Sequence, residues 1–501
     1  MDNWLELDSA LTAMAASGCG EVREDGEWLA ELSGLHCELR RQGKNALVHL
    51  WSDERNLTRR VLQVREQSAE RIVLEVQRFG SARPGRLEFL RTDSRRGAGP
   101  ITREQFRARL RRFLAERFPD AVVESLSTAR NLEHSFSGLY VRGRMYEGNR
   151  MWPFLAVSPA ESAATIEGIL SFGLLWLDWT RDHAERRAVE GLRLFVPEGT
   201  SRLLRERVLA ISPAARTEIF ECNEQESRIR KMDPADAGNI ESGLIFRRDI
   251  ESTLAAAQPS TALVRSWAPN ITGSTDLLAE IETRVLPGAG RVAFCFRELE
   301  FARWSPEGVL FGLGESLERL NKSTEPALKR LIRRLDNYRS SVAGDTNHSL
   351  YRAAPERWLE TIILEDPSKI DAQLDPAHLY SQVPAVAAGD RGVLDLLGVT
   401  RKGRLVVIEL KASEDIQMPM QAVDYWLRVR RHQREGDFHR YGYFCGIEID
   451  PQPPLLWLVA PGLRFHPATD VLLKYISEEI HITRIGISEN WRRGPKVIFR
   501  Q

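Results

Sequence analysis

Residues 392–413 read GVLDLLGVTRKGRLVVIELKAS and set Asp395, Glu409 and Lys411 among valines, leucines and isoleucines. A charge withdrawn from water costs several kcal/mol unless something pairs it, so three charges in two apolar runs need an explanation. Arg401, Lys402 and Gly403 are turn residues between the runs, and 392–400 and 404–412 therefore read as an antiparallel hairpin. With the turn centred on Lys402, Asp395 stands opposite Glu409. Opposed strand neighbours lie about 4.5–5.5 Å apart at Cβ, where like charges repel, and two carboxylates forced together there require a cation. Lys411, two residues past Glu409, leaves the same face of its strand.

Two oxygen-donor acids with few neighbouring His or Cys select a hard cation such as Mg2+ or Mn2+. A lysine beside it can orient the water that attacks a phosphodiester and neutralise charge developing on the phosphate. In the following MQAVDYW, Gln421 and Tyr425 share a helical face, and Arg428 and His432 continue the stripe. A polar stripe beside such a site can hold a phosphate backbone. The competing reading is an ordinary ion pair of Asp395 and Lys411 with Glu409 at a sheet edge, although three charges within two apolar strands are an unusual way to build one.

Asp395, then VIELKA with Glu409 and Lys411, then Q-x-x-x-Y at Gln421 and Tyr425, resembles the PD-(D/E)xK nuclease superfamily, closest in style to its RecB-like and archaeal-resolvase-like branches. The resemblance covers roughly residues 350–465, with Leu394 where the family name has proline. It implies a restriction-endonuclease-like mixed sheet flanked by helices. It further implies Asp395, Glu409 and the Leu410 carbonyl as ligands of Mg2+ or Mn2+, Lys411 as the water-orienting lysine, and Gln421 and Tyr425 as supporting groups. An acid on the preceding helix is also implied, for which ERWLE offers Glu356 or Glu360; Glu360 is the preferred catalytic and metal-binding choice.

The elements that must position these residues follow from hydrophobic periodicity. From residue 355 the order is helix PERWLETIILED, strands HLYSQVPAVA, GVLDLLGVT and RLVVIELKA, helix IQMPMQAVDYWLRVRRHQRE, strands YGYFCGIEI and PLLWLVAPG, helix DVLLKYISEE and strand PKVIFR. This defines a catalytic α/β domain over 346–501. Residues 99–215 form another α/β unit, opened by a helix that Thr102 caps and Glu104 supports, with strands at AVVESLSTAR, GLYVRGRM, WPFLAVSP and GLRLFVPEG around the long helix ESAATIEGILSFGLLWLDWTRDHAERR. Laying PFLAVSPAES over VVIELKASED puts Ala156 at Glu409, Ser158 at Lys411, Gly168 at Gln421, Phe172 at Tyr425, and Val141 or Arg142 at Asp395. Residues 99–215 then read either as a degenerate copy of the nuclease fold or as an unrelated unit with the same strand–helix–strand rhythm.

Residues 1–98 read as a small antiparallel β module with strands from 35 to 91, whose Arg55, Arg59, Arg60, Arg65 and Arg78 either contact phosphates or line a solvated face. Residues 216–345 read as a linker, STALVRSWAPNITGSTD, then a hairpin turning on Pro306, Glu307 and Gly308, and a basic helix, LKRLIRRLDNYR, that either lies on a duplex or is a solvated face. The expected class is thus a multidomain α/β and α+β chain.

The 70 basic and 70 acidic groups cancel, so a nucleic-acid site must be a local patch. Cys19, Cys37, Cys222, Cys295 and Cys445 lack metal or disulfide spacing and read as free buried thiols. The N-terminus lacks a signal-peptide pattern and ILSFGLLWLDW is too short to span a membrane, so a cytoplasmic protein is expected; the arginine bias is that of a GC-rich bacterial genome. Phosphate-cradling glycine loops, G-x-S-x-G elbows and H-E-x-x-H sites are absent, which argues against an ATP-driven machine, a serine hydrolase or a zincin. His439 and His466 are candidate proton-transfer groups, although lone histidines after strands are more often structural. The expected activity is Mg2+-dependent hydrolysis of DNA phosphodiesters in repair, recombination or defence. The alternative is a nuclease-like fold that binds nucleic acid, or serves as an assembly scaffold, without turnover.

Overall fold

The computed structural model describes residues 4–501 apart from 18–19, 26, 33–35, 43–44, 52–55, 69, 79–83, 92–102, 132, 185–186, 224–227, 237–243, 273–280, 287–289, 314–315 and 385–392. The protein is a mixed α/β multidomain chain, and the described residues form four sheets. It divides into two compact units, each made of two stretches: 1–99 with 253–353, and 100–252 with 354–501. Among the described residues no helix is long and apolar enough to cross a membrane.

The first unit carries a seven-stranded antiparallel sheet within residues 20–91. The helix Trp4–Ser17 and the strands Gly20–Glu24 and Glu27–Glu31 add to the β module expected from sequence. Arg59 makes a double hydrogen bond to Glu24 at 2.7 and 2.9 Å, and Arg65 pairs with Glu75, so two of the five arginines considered for phosphate are held by carboxylates. Arg55, the side chain of Arg78, Cys19 and the Thr102 cap lie outside the described residues. A five-stranded antiparallel sheet follows, with the expected Ser305–Gly308 hairpin turn. Residues 260–272 of the stretch expected to be a linker or loop are instead part of the helix Arg247–Thr272, and 273–276 lie outside the described residues. Leu254, Ala257, Val264 and Trp267 recur at helical spacing and pack on that sheet, which overrides the Pro, Ser and Thr turn signals. The helix Glu325–Tyr338 buries Leu328, Ile332 and Leu335 and turns Arg330, Arg333 and Arg334 outward.

The second unit holds two sheets built to one plan. Its first half runs α1 (Arg103–Arg117), β1 (Ala121–Ser127), β2 (Tyr140–Glu147), β3 (Arg150–Val157), α2 (Ala163–Asp182), β4 (Leu192–Pro197), α3 (Arg202–Leu209), β5 (Thr217–Asn223) and β6 (Arg228–Met232). Its second half runs α4 (Pro355–Glu365), β7 (Tyr380–Pro384), β8 (Val393–Val399), β9 (Leu405–Leu410), α5 (Met418–Arg434), β10 (Leu455–Pro461), α6 (Thr469–Lys474), β11 (His481–Ile487) and β12 (Val497–Arg500). The sheet orders are β1-β2-β3-β4-β5-β6 and β7-β8-β9-β10-β11-β12, with a two-residue strand, Ala188–Val189, added beside β3. In both, the first three strands are antiparallel, the third to fifth parallel, and the sixth antiparallel again. The boundary expected at 215 is therefore too early, because β5 and β6 complete the first sheet.

Residues 441–449, expected as a strand, form turns. Positive φ at Gly442, Phe444 and Gly446 is incompatible with an extended strand, and Tyr443 and Phe444 are buried in the core all the same. The strand β11 was not foreseen. The two halves share one hydrophobic core, in which Ile169, Leu170 and Leu174 of α2 and Leu204 of α3 meet Val423 and Trp426 of α5 and Leu472 of α6. This explains why α2 is apolar on nearly every face: the sheet covers one side and the other half covers the opposite one. Ser162 caps its first turn by accepting from the Thr165 amide at 3.2 Å.

Candidate functional site

The β8–β9 hairpin has the expected register. Leu396 pairs with Ile408 and Leu397 with Val407, which brings Asp395 opposite Glu409. The turn closes with the Gly403 amide donating to the Thr400 carbonyl at 2.8 Å, and φ of 86° at Gly403 suits a residue without Cβ. Leu405, Val407 and the neighbouring Leu456 and Leu458 of β10 face the core under α5. Alternation places Glu409 on that face too, at the carboxyl end of a parallel strand pair, where open α/β sheets carry their sites.

Asp395 Oδ2 accepts from the Leu410 amide at 3.0 Å. Glu409 is 2 % exposed. Its Oε1 lies 3.1 Å from Lys411 Nζ, and its buried Oε2 has no hydrogen-bond partner among the described residues. Lys411 also approaches Asp415, an acid four residues on in KASED that lies outside the D…ExK motif, at 3.5 Å. Burial, then the charge of Asp395, pushes the Glu409 carboxyl up to about 8 against the pull of Lys411. Asp395 is raised as well, chiefly by burial, although the Leu410 amide, Arg357 and Lys411 oppose the rise. For Lys411, burial favours the neutral form, but Glu409, Asp415 and Asp395 outweigh it and hold the ammonium above the usual lysine range. The cluster thus has a firmly protonated lysine beside two carboxyls that resist ionising together.

On α5, Gln421 and Tyr425 are half-buried one turn apart. Burial raises the Tyr425 phenol, and the charges of Glu409 and Asp395 add to the rise, so this residue feels both acids. Further along the helix the expected phosphate-facing stripe turns inward. Arg428 is 8 % and His432 2 % exposed, and His432 Nδ1 lies 2.7 Å from Asp437 Oδ2. His432, Glu435 and Asp437 could bring ligand atoms within 4.8 Å of one another, but Arg431 and Arg440 already pair with the two acids.

Of the two acids on α4, Glu356 reaches the segment that follows β9. It accepts from the Ala412 amide at 3.3 Å, and its charge adds to the rise of Asp395. Glu360 is 1 % exposed and pairs with Arg357 at 3.1 Å. His466 feels Glu414 and Asp415, although burial dominates and pulls its imidazole down; its Nδ1 accepts from the Ala468 amide at 3.1 Å, which leaves the ring proton on Nε2. His439 donates to the Ile447 carbonyl at 2.9 Å and is structural. None of Cys37, Cys222, Cys295 and Cys445 is in a disulfide, and Cys445 is exposed where a buried thiol was expected.

The first half corrects the overlay by one residue. Ala156 packs with Phe106 and Phe113 of α1, on the opposite face of its sheet from the one Glu409 occupies. The face of the acids is held instead by Leu155 and Val157, opposite Arg142 and Tyr140 respectively. Leu155 beside Leu194 reproduces the pairing of Glu409 beside Leu458. Arg142, not Val141, is therefore on the side that matches Asp395, and its guanidinium donates to the carbonyls of Ala129 and Ser137. Ser158 is buried and accepts from the Ala160 amide at 3.3 Å. None of these positions carries a carboxylate. No protein-family model matches the chain, and no curated protein matches it.

Proposed function

We propose that this chain is a metal-dependent nuclease that hydrolyses DNA phosphodiester bonds, with a restriction-endonuclease-like fold in its second half and a silent version of that fold in its first. The observation that carries the reading is the Glu409 carboxylate: buried, opposite Asp395, with one oxygen on Lys411 and the other unpartnered among the described residues. Leaving such an atom without a partner costs about 1–3 kcal/mol or more, and a hard cation is the partner that two carboxylates suit. Asp395 and Glu409 would hold Mg2+ or Mn2+, with the Leu410 carbonyl and Glu356 or Glu360 completing the oxygen set. A cation there supplies Lewis-acid polarisation and a more acidic water.

The chain's own groups do the rest. Lys411, kept protonated by three acids, orients the attacking water and neutralises charge developing on the phosphate. Gln421 and Tyr425 line the same edge from α5 and support the acids. Repair, recombination or defence against foreign DNA are the settings such an activity serves. Linear, circular, branched and single-stranded DNA should be incubated with the protein in Mg2+, Mn2+ or EDTA, alongside Lys411→Ala. Cleavage in Mg2+ or Mn2+ that disappears in EDTA and in the variant is the expected result. DNA binding without any cleavage would instead favour the scaffold reading.

A further inference from the structure

The two halves of the second unit meet as the subunits of a two-fold dimer do. Helix α2 packs on α6, and its counterpart α5 packs on α3, so each contact is returned by its mirror pairing. Between the halves, Ile211 and Ile476 form an antiparallel bridge, flanked by the Ser212 amide donating to the Tyr475 carbonyl at 2.7 Å and the Ser477 amide donating to the Ala210 carbonyl at 2.8 Å. Ile211 lies two residues beyond the end of α3, and Ile476 two residues beyond the end of α6. An equivalent residue therefore meets its equivalent, the mark of an isologous interface. Arg207 of α3 and Asp424 of α5, both buried, lock the junction with two hydrogen bonds of 2.8 and 2.7 Å.

In a two-fold pair each half would bring a site to one strand of a duplex. Here one half brings Asp395, Glu409 and Lys411, while the matching face of the other brings Leu155, Val157, Arg142 and Tyr140. The helical face through which a second catalytic half could join is already filled within the chain. We infer that the protein cuts a single strand of duplex DNA per encounter, the silent half occupying the place of the second cutting subunit. The inference rests on the nuclease reading above and adds strand number to it.

Supercoiled plasmid incubated with the full chain in Mn2+ tests it. Open circles should accumulate first, with linear molecules arising only later from unrelated nicks. Linear product that grows in step with open circles from the start would overturn the inference and leave the nuclease reading standing. Circles left intact while linear duplex or single strands are degraded would do the same. No cleavage of any DNA would overturn both. A second readout needs no turnover: Mn2+ binding followed by electron spin resonance should vanish in Glu409→Gln. Bound Mn2+ persisting in that variant would place a second cation site in the chain and overturn the inference.

Discussion

The β2–β3 and β8–β9 hairpins occupy the same place in sheets of the same order and direction, yet one carries Arg142 and Leu155 where the other carries Asp395 and Glu409. Both faces pack into the shared core, so the architecture does not need the acids. Leu155 buries a side chain that asks for no partner. Glu409 buries an oxygen without one among the described residues, and its carboxyl is driven toward the neutral form. At this one position the second half therefore carries a local instability that Leu155 does not, as expected if the proposed function competes with stability there.

The sharpest test of this contrast is activity. Lys411→Ala should lower cleavage by about 10²–10³-fold or more, as removal of one charge-stabilising donor does. Ser158→Ala, in the silent half, should leave the rate within about twofold of wild type, inside the free-energy scatter of a substitution away from any site. Both rates are read on the same labelled duplex, and equal losses would erase the distinction between the halves.

Next in size is the junction. Asp424→Ala strands the buried Arg207 guanidinium and should cost about 3–5 kcal/mol in urea unfolding. Lys474→Ala, which removes an exposed partner of Asp178, should cost about 0–1 kcal/mol. Millimolar Mg2+ should then raise the melting temperature of the wild type, by the equivalent of about 2.7 kcal/mol at a hundredfold excess over Kd. Asp395→Asn should abolish that rise and Ser158→Ala should preserve it; a response unchanged in Asp395→Asn would remove the site from the live half.

The smallest effect is in pH. In EDTA, Glu409 has a folded pKa of about 8 against an ordinary value of 4.5. Its contribution to stability is thus complete below 4.5 and is lost as pH rises through about 8. Glu409→Gln, which mimics the neutral form, should flatten the decline in stability over that window. A wild-type curve as flat as the variant's would mean that Glu409 ionises normally.

Much of the second half was legible because its signals are local. Turn residues at Arg401–Gly403 set the hairpin register, and the Q-x-x-x-Y spacing set which side chains of α5 share a face. The overlay of the halves slipped because matching strings ignores parity, and a shift of one residue moves a strand's side chains to the other face. Glu356 and Glu360 lie on one helical face, so the sequence does not rank them, and the approach of the Ala412 amide to Glu356 is a tertiary contact. Whereas His432 turns in toward Asp437 only five residues on, the inward turn of Arg428 depends on α3, whose Glu206 feels its charge and which no window around residue 430 includes. The five-stranded sheet captured the helix Arg247–Thr272 for the same reason, against the turn signals in its own sequence.

The second unit is discontinuous in the chain, and that has a consequence for how the protein is made. Residues 100–252 leave the ribosome first, and residues 253–353, which belong to the other unit, must be synthesised before 354–501 can appear. Until then the apolar side of α2, with Ile169, Leu170 and Leu174, lacks the α5 and α6 residues that complete its core. At about 5–20 residues per second the nascent chain carries this sticky surface for about 10–60 seconds. The first half therefore holds an exposed apolar surface during translation until a later stretch of the same polypeptide covers it.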